Sequence, residues 1–399
     1  MRPQFFLLSC CFPVFIFAQN LNPRNENRIL DENIASVQLY LHGSPLSQPY
    51  LQVKAPSGAL VLEFDHLGED VQAYQYTIVH CNSDWQVSDL QDNEYISGYT
   101  DDRILDVSSS FNTRTSYTHY AIQLPNANMR WTKSGNYLLR VFLEADKTPV
   151  LERRFCVMEP QWRVDLQFVL PSTVAKQETH HEMDFSVIFS DTRVKNPMNE
   201  VTAVVTQNSR WDNAIGPLAP MATRNDELLF DYQDKVIFPA GREFRYFDIS
   251  SFNNLTERTR SILVNKNDQF EVTLLPDRSR ATAASGFSRD LNGRFSIENT
   301  NLNQSLVEAD YGWVLFSVAQ NAPFEGQDVY IFGEFTDWQL KPQFKMTYHE
   351  EAKAYWGEAF LKQGYYNYMY QVVDAATGIP DEEGLEGNDY RTTNRYTVF

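Results

Sequence analysis

Tyr137-Leu138-Leu139-Arg140-Val141-Phe142-Leu143 and Asp184-Phe185-Ser186-Val187-Ile188-Phe189 are short runs rich in β-branched and aromatic residues, with apolar side chains recurring at alternate positions. A period of two places successive side chains on opposite faces of a strand. The pattern returns in Val37-Gln38-Leu39-Tyr40-Leu41, Tyr74-Gln75-Tyr76-Thr77-Ile78 and Val164-Asp165-Leu166-Gln167-Phe168-Val169-Leu170. It continues in Trp313-Val314-Leu315-Phe316-Ser317-Val318 and Asp328-Val329-Tyr330-Ile331-Phe332. Gly, Pro, Asn or Asp bound these runs, and no window of about 11 residues carries a helical period. Strand after strand without helical pattern between them predicts an all-β fold of antiparallel sandwiches. Asn292-Gly293, between Gly286-Phe287 and Phe295-Ser296-Ile297, adds a hairpin signal.

Two stretches punctuate the series. Glu159-Pro160-Gln161 separates one strand pattern from the next, and Asp277 to Ser285 is small and polar. They predict three modules, at 19–159, 160–278 and 279–399, with no repeat at a fixed period. Residues 1–18 read as a cleaved signal peptide: Arg2 is followed by an apolar run, Phe5 to Phe17, too short to span a bilayer, and then by Ala18. Leu7-Leu8-Ser9-Cys10 resembles a lipoprotein box, but the apolar run before Cys10 is short, and plain cleavage is preferred. The mature chain is therefore expected to be exported, without a membrane span.

Composition narrows the function. The 399 residues hold 34 Lys and Arg against 52 Asp and Glu, a formal charge of −18. Loss of Arg2 makes this 33 − 52 = −19 in the mature chain. Such a surface argues against sequence-independent nucleic-acid binding and against a polybasic membrane contact. Hydrophobic residues at 43% are too many for a disordered chain. After cleavage two cysteines remain, Cys81 and Cys156. In an oxidising compartment they can form a disulfide; the alternative is two buried free thiols, and the sequence leaves both open.

Catalytic motifs are absent: there is no nucleophile elbow, phosphate loop or dinucleotide fingerprint. His180-His181-Glu182-Met183-Asp184 is the densest group of ligand-type residues, but it runs into a strand and lacks the second His at metalloprotease spacing, where Phe185 stands. His80-Cys81 are strand neighbours that point to opposite faces. Asp101-Asp102 reads as a polar turn. No cofactor and no metal site are expected, and the protein is not expected to be an enzyme. The aromatic load says more. Lys362-Gln363-Gly364-Tyr365-Tyr366-Asn367-Tyr368-Met369-Tyr370 places aromatics on both faces of one strand. One face suits a core; the other suits sugar stacking, a protein interface or simple inter-sheet contact.

Two resemblances follow. His80-Cys81-Asn82-Ser83-Asp84-Trp85, Glu94-Tyr95-Ile96-Ser97-Gly98, Ser110-Phe111-Asn112-Thr113, Tyr117-Thr118-His119-Tyr120, Leu124-Pro125-Asn126 and Ser134-Gly135-Asn136-Tyr137 stand in this order in the first module. Gln207-Asn208-Ser209-Arg210-Trp211-Asp212-Asn213-Ala214 and Phe238 to Asp248 follow in the second, and Thr336-Asp337-Trp338-Gln339-Leu340 with Lys362 to Tyr368 in the third. The series resembles the plug protein family of the type IX secretion system. That resemblance implies a periplasmic, non-enzymatic all-β protein. Such a protein binds the periplasmic opening of the outer-membrane β-barrel translocon and seals it when idle, and it is associated with the outer membrane through that partner.

Val329 to Asp374, with Gly333-Glu334-Phe335-Thr336-Asp337-Trp338, is similar to glycogen-binding carbohydrate modules. This implies an early-set, immunoglobulin-like sandwich for the third module, and a fold of tandem immunoglobulin-like antiparallel β-sandwich modules overall. Trp338 matches a sugar-stacking Trp, whereas Met369 stands where those modules carry Lys, and no Trp after Trp356 supplies a second platform. An exported glucan-binding protein is thus the alternative reading, with glucan the less expected partner. The candidate ligand or partner contacts are Trp338, Tyr365, Tyr366, Tyr368 and Tyr370. Trp85 and Trp211 are expected to be buried corner residues.

Overall fold

The computed structural model describes residues 26–53, 58–189, 194–283, 286, 290–300, 305–381 and 384–399. The signal-peptide segment 1–18 and Phe287, one flank of the expected hairpin, lie outside the described residues. The chain is all-β, with 47% strand and 6% helix. Among the described residues no helix is long and apolar enough to cross a membrane.

Three cores organise the strands. The first lies between a sheet of Arg28–Ile29, Pro149–Met158, Gly135–Leu143, Tyr74–Cys81 and Asp102–Arg103 and a sheet of Ile34–Leu41, Leu60–Leu67, Tyr117–Leu124 and Asp106–Ser109. Tyr74–Cys81 shows why these residues form strands, since Tyr74, Tyr76 and Ile78 are buried and the residues between them are half-buried. Pro149–Met158 departs from alternation and is buried on both faces from Val150 to Val157. Phe155 and Val157 enter the core. Arg154 and Cys156 lie against Trp85, Trp211 and Phe399.

The middle core sits between Arg163–Val169, His180–Ile188, Glu227–Phe230, Ala222–Arg224 and Ile237–Pro239 on one side and Ile215–Leu218, Ala203–Gln207 and Tyr396–Val398 on the other. The C-terminal strand thus returns to the middle core, pairing Val205 with Val398. The third core lies between Arg245–Asp248, Gly364–Asp374, Phe295–Ile297 and Gln327–Phe332 and a sheet of Thr259–Val264, Phe270–Leu274, Tyr311–Ala319, Ala354–Lys362 and Thr347–His349. Phe270–Leu274 runs parallel to Tyr311–Ala319, and Asp277–Arg278 pairs with the same strand. The expected boundary at 278/279 therefore falls inside this sheet, because Phe247, Val272 and Leu274 share a core with Tyr366 and Tyr370.

The cysteines are free and buried. Asn136 is the register partner of Cys81 on one neighbouring strand and of Cys156 on the other. Two strand spacings, about 10 Å, separate the pair. A disulfide needs Cα atoms within about 7 Å, so the disulfide alternative is corrected to two thiols. Burial pushes the Cys156 thiol up to about 12.

Candidate functional site

Charged side chains embedded in apolar strands join the three cores. Asp65 lies in the run Leu60–Leu67 and is fully buried, as is Lys362 at the end of Ala354–Lys362. Lys362 Nζ donates to Asp65 Oδ2 at 2.6 Å and to the Leu306 carbonyl at 2.7 Å, and it stands 4.1 Å from the Tyr117 ring centroid. His119 Nδ1 lies 2.7 Å from Asp65 Oδ1. The Tyr311 hydroxyl donates to Asp65 Oδ2 at 2.7 Å and lies 2.7 Å from Ser36 Oγ. Burial alone would raise the Asp65 pKa, but Lys362 and His119 outweigh it and hold the carboxyl below its usual range. Asp310 adds a second link: its carboxylate accepts from the backbone N–H groups of Arg114 at 2.6 Å and Thr115 at 3.0 Å. First and third cores are thus bound by paired buried charge, with His119 Nε2 the one ring nitrogen of the cluster left without a hydrogen-bond partner among the described residues.

A cavity of about 440 Å³ opens where all three parts meet, walled by Trp85, Trp211, Trp338, Arg153, Arg154 and Arg294. Arginines tie its walls together. The Arg154 guanidinium lies 4.4 Å from the Trp85 ring and 5.6 Å from that of Trp211, and the two indoles meet edge to face at 4.9 Å. Arg153 reaches Asp337 at 3.1 Å, with both side chains nearly buried. Arg210 grips Asp212 through two contacts and covers Trp338 at 4.8 Å. Arg294 bonds Glu334 at 3.0 Å and donates to the Leu46 carbonyl. Phe399 closes the first–middle seam, its ring 5.0 Å from those of Tyr50 and Trp211. Guanidinium groups suit this task because they stack on indoles and bond carboxylates in the same plane.

The expected contact residues divide. Trp338 is half-buried in the cavity wall beneath Arg210, and Phe244, Phe332 and Gly293 press on its remaining sides. Gly293 is left-handed, and a Cβ there would lie 2.2 Å from the Trp338 ring, so only glycine admits this approach. Arg210 thus covers one face of the indole, and the phenylalanine rings meet it edge to face. Tyr366, Tyr368 and Tyr370 are 1% exposed each, which corrects their placement on a contact face. The physical reason is hydrogen bonding inside the third core. Tyr366 donates to the Lys362 carbonyl at 2.6 Å, and Tyr368 and Tyr370 donate to Asp277 Oδ2 at 2.5 and 2.8 Å. Asp277 is held by Arg245 and Arg258, and Glu386 by Arg245 and Arg280. Tyr365 alone faces outward, half-buried and stacked on Tyr246 at 5.6 Å. Trp85 is buried, as expected of a corner, whereas Trp211 is half-buried in the cavity wall.

His181 of the dense His-Glu-Asp group fixes the C-terminal strand, with Nδ1 2.7 Å from the Tyr396 hydroxyl and Nε2 2.5 Å from the Tyr390 carbonyl. Among the described residues no group of three His, Cys, Asp or Glu side chains gathers to hold a metal. The arrangement offers paired charges and covered rings, whose effect is to hold three parts in fixed relation. Reading from sequence overlooked Asp65, His119, Arg153, Arg154 and Lys362 as a set. Their signal was a charge inside an apolar strand, as in Leu151-Glu152-Arg153-Arg154-Phe155, where a charge is retained only if paired.

Residues 34–159 match the family described as Type 9 secretion system plug protein 1st domain. Across 94% of both chains, at 29% sequence identity and a TM-score of 0.89, the structure is similar to the crystal structure, at 2.30 Å resolution, of a hypothetical protein from Parabacteroides merdae ATCC 43184. A search of curated proteins finds no match. The matched stretch contains the whole first core and, through Asp65, Arg153 and Arg154, the first core's side of the junction. Over residues 34–159 the chain is thus similar to the first domain of the type IX secretion plug family.

Proposed function

We propose that the protein is an exported, periplasmic plug that seats on the periplasmic opening of the type IX outer-membrane β-barrel translocon and seals it when idle. It acts by occlusion, not catalysis. The match of residues 34–159 to the plug first domain carries this reading. The junction supports it: a seal over a wide pore has to resist being pried apart, and buried charge pairs with stacked arginines bind the first domain to the rest of the chain. The mature charge of 33 − 52 = −19 suits a partner rim with neutral or basic patches. Arg210 over one face of Trp338, and the burial of Tyr366, Tyr368 and Tyr370, speak against sugar stacking as the main role.

The test is capture of the tagged full chain from cells that lack the translocon's shuttle partner. Recovery of the translocon barrel with the chain is the expected result; its absence from the captured material would overturn the proposal.

A further inference from the structure

The middle core is the smallest of the three. It holds ten buried apolar side chains among the described residues, against 25 in the first and 21 in the third. Two open sheet edges flank it. Among the described residues Arg163–Val169 is the edge of its sheet and pairs only with His180–Ile188. Among them Tyr396–Val398 is likewise the edge of the facing sheet and pairs only with Ala203–Gln207. Both edges lie on the same side of the sandwich, since the rings of Phe168 and Tyr396 are 5.6 Å apart. Along Arg163–Val169, Leu166 reaches the core, yet Val164 and Phe168 on the same face remain 41% and 61% exposed. Leu170 and Val174 extend the apolar strip at 70% and 77% exposure.

Sheet edges in natural proteins are blunted by shortness, Lys, Pro or bulges. Several other edges of this chain are. Asp102–Arg103 has two residues, and Ala222–Arg224 and Thr347–His349 have three. Asp106–Ser109 carries Asp and two Ser, and Thr259–Val264 has an irregular register. Arg163–Val169 is the less protected: it runs seven residues in unbroken register without Lys or Pro, and its two charges, Arg163 and Asp165, sit at one end and pair with each other at 2.6 Å.

We infer that Arg163–Val169 receives an extended segment of the translocon, which adds as a further strand and covers Val164 and Phe168 with its own alternate apolar side chains. This rests on the plug reading. A row of open backbone donors and acceptors repeating at about 3.3 Å per residue is satisfied along its length by another extended backbone. Pairing with a second copy is opposed by charge, because each mature copy carries 33 − 52 = −19. A basic segment is attracted to the same surface, and a neutral one escapes the repulsion that a second copy meets.

The experiment places a benzoylphenylalanine photocrosslinker at Phe168 of the tagged full chain, in cells that contain the translocon and lack the shuttle partner. An adduct with a translocon subunit is expected. The paired substitutions Val164→Lys and Phe168→Lys should lower recovery of the translocon by about tenfold or more. Both positions are largely exposed and Phe168 gives up only its ring contacts with His181 and Tyr396, so the chain should stay folded with a slightly lower melting temperature. The inference is overturned if the unsubstituted chain captures the translocon but position 168 yields no adduct, or yields only a second copy, or if the Lys pair binds as well as the original. If the unsubstituted chain captures no translocon, the plug reading itself fails and this inference falls with it, a result distinct from the others.

Discussion

Replacing Lys362 with Met removes one charge from the most deeply buried link between the first and third cores. Asp65 is 0% and Lys362 2% exposed, so neither charge can turn to water for compensation. Breaking a buried pair by deleting one partner costs about 3–5 kcal/mol. Asp65 would keep His119 and Tyr311, which places the loss toward the lower end. The lost ammonium over the Tyr117 ring adds about 1 kcal/mol, for a total of about 4 kcal/mol. Urea unfolding at neutral pH measures this. Combining Lys362→Met with Asp65→Asn removes both charges and should recover about 2 kcal/mol relative to the sum of the single changes. A single variant within about 1 kcal/mol of the original, or strict additivity in the cycle, would refute the reasoning. The pH dependence has a definite sign. Because the folded Asp65 pKa is held below its unfolded value, its contribution is fully present above about pH 4 and is lost as pH falls through the lower folded value. Asp65→Asn should lack that acid-side slope.

Three further outcomes test the junction and the corrections. Cys81 and Cys156 should resist thiol reagents in the native state, and alkylation under denaturing, non-reducing conditions should add two labels to the mature chain; one linked peptide pair in a digest would contradict the register. Arg154→Ala should lower stability by about 1–2 kcal/mol and change tryptophan emission through Trp85 and Trp211, with Arg154→Lys recovering only part, as read by thermal unfolding with fluorescence. Gly293→Ala should cost about 2 kcal/mol or more, because it combines a left-handed backbone with a clash on Trp338; a neutral effect in the same assay would mean the indole is not held there.

The alternation in Tyr74–Cys81 and Tyr311–Ala319 was readable because each strand has one face in a core, and period-two burial follows. Chain order was a poorer guide to which strands share a core. The polar stretch from Asp277 marks a loop, yet Phe270–Leu274 before it and Tyr311–Ala319 after it are hydrogen-bonded neighbours. Punctuation reports where the chain leaves a sheet, and leaves unsaid which sheet it joins next. The tyrosines of Gly364–Asp374 misled for a related reason. Tyr suits both a wet contact face and a core in which its hydroxyl has an acceptor, and Asp277, distant in sequence, supplies that acceptor. The cysteine separation depended on one intervening strand, Gly135–Leu143, whose place between the other two is a matter of topology. Lys362 stood within a quoted motif and was read for its tyrosines, although a lysine closing the run Ala359-Phe360-Leu361 was itself the clue to a buried partner.

The central claim is that this chain closes the translocon. The most direct measurement is ion conductance through the purified translocon in a planar bilayer, with the full mature chain added to the periplasmic side. Conductance should fall to the closed level on addition and return when the chain is displaced. An open-channel current unchanged at saturating protein would contradict the account.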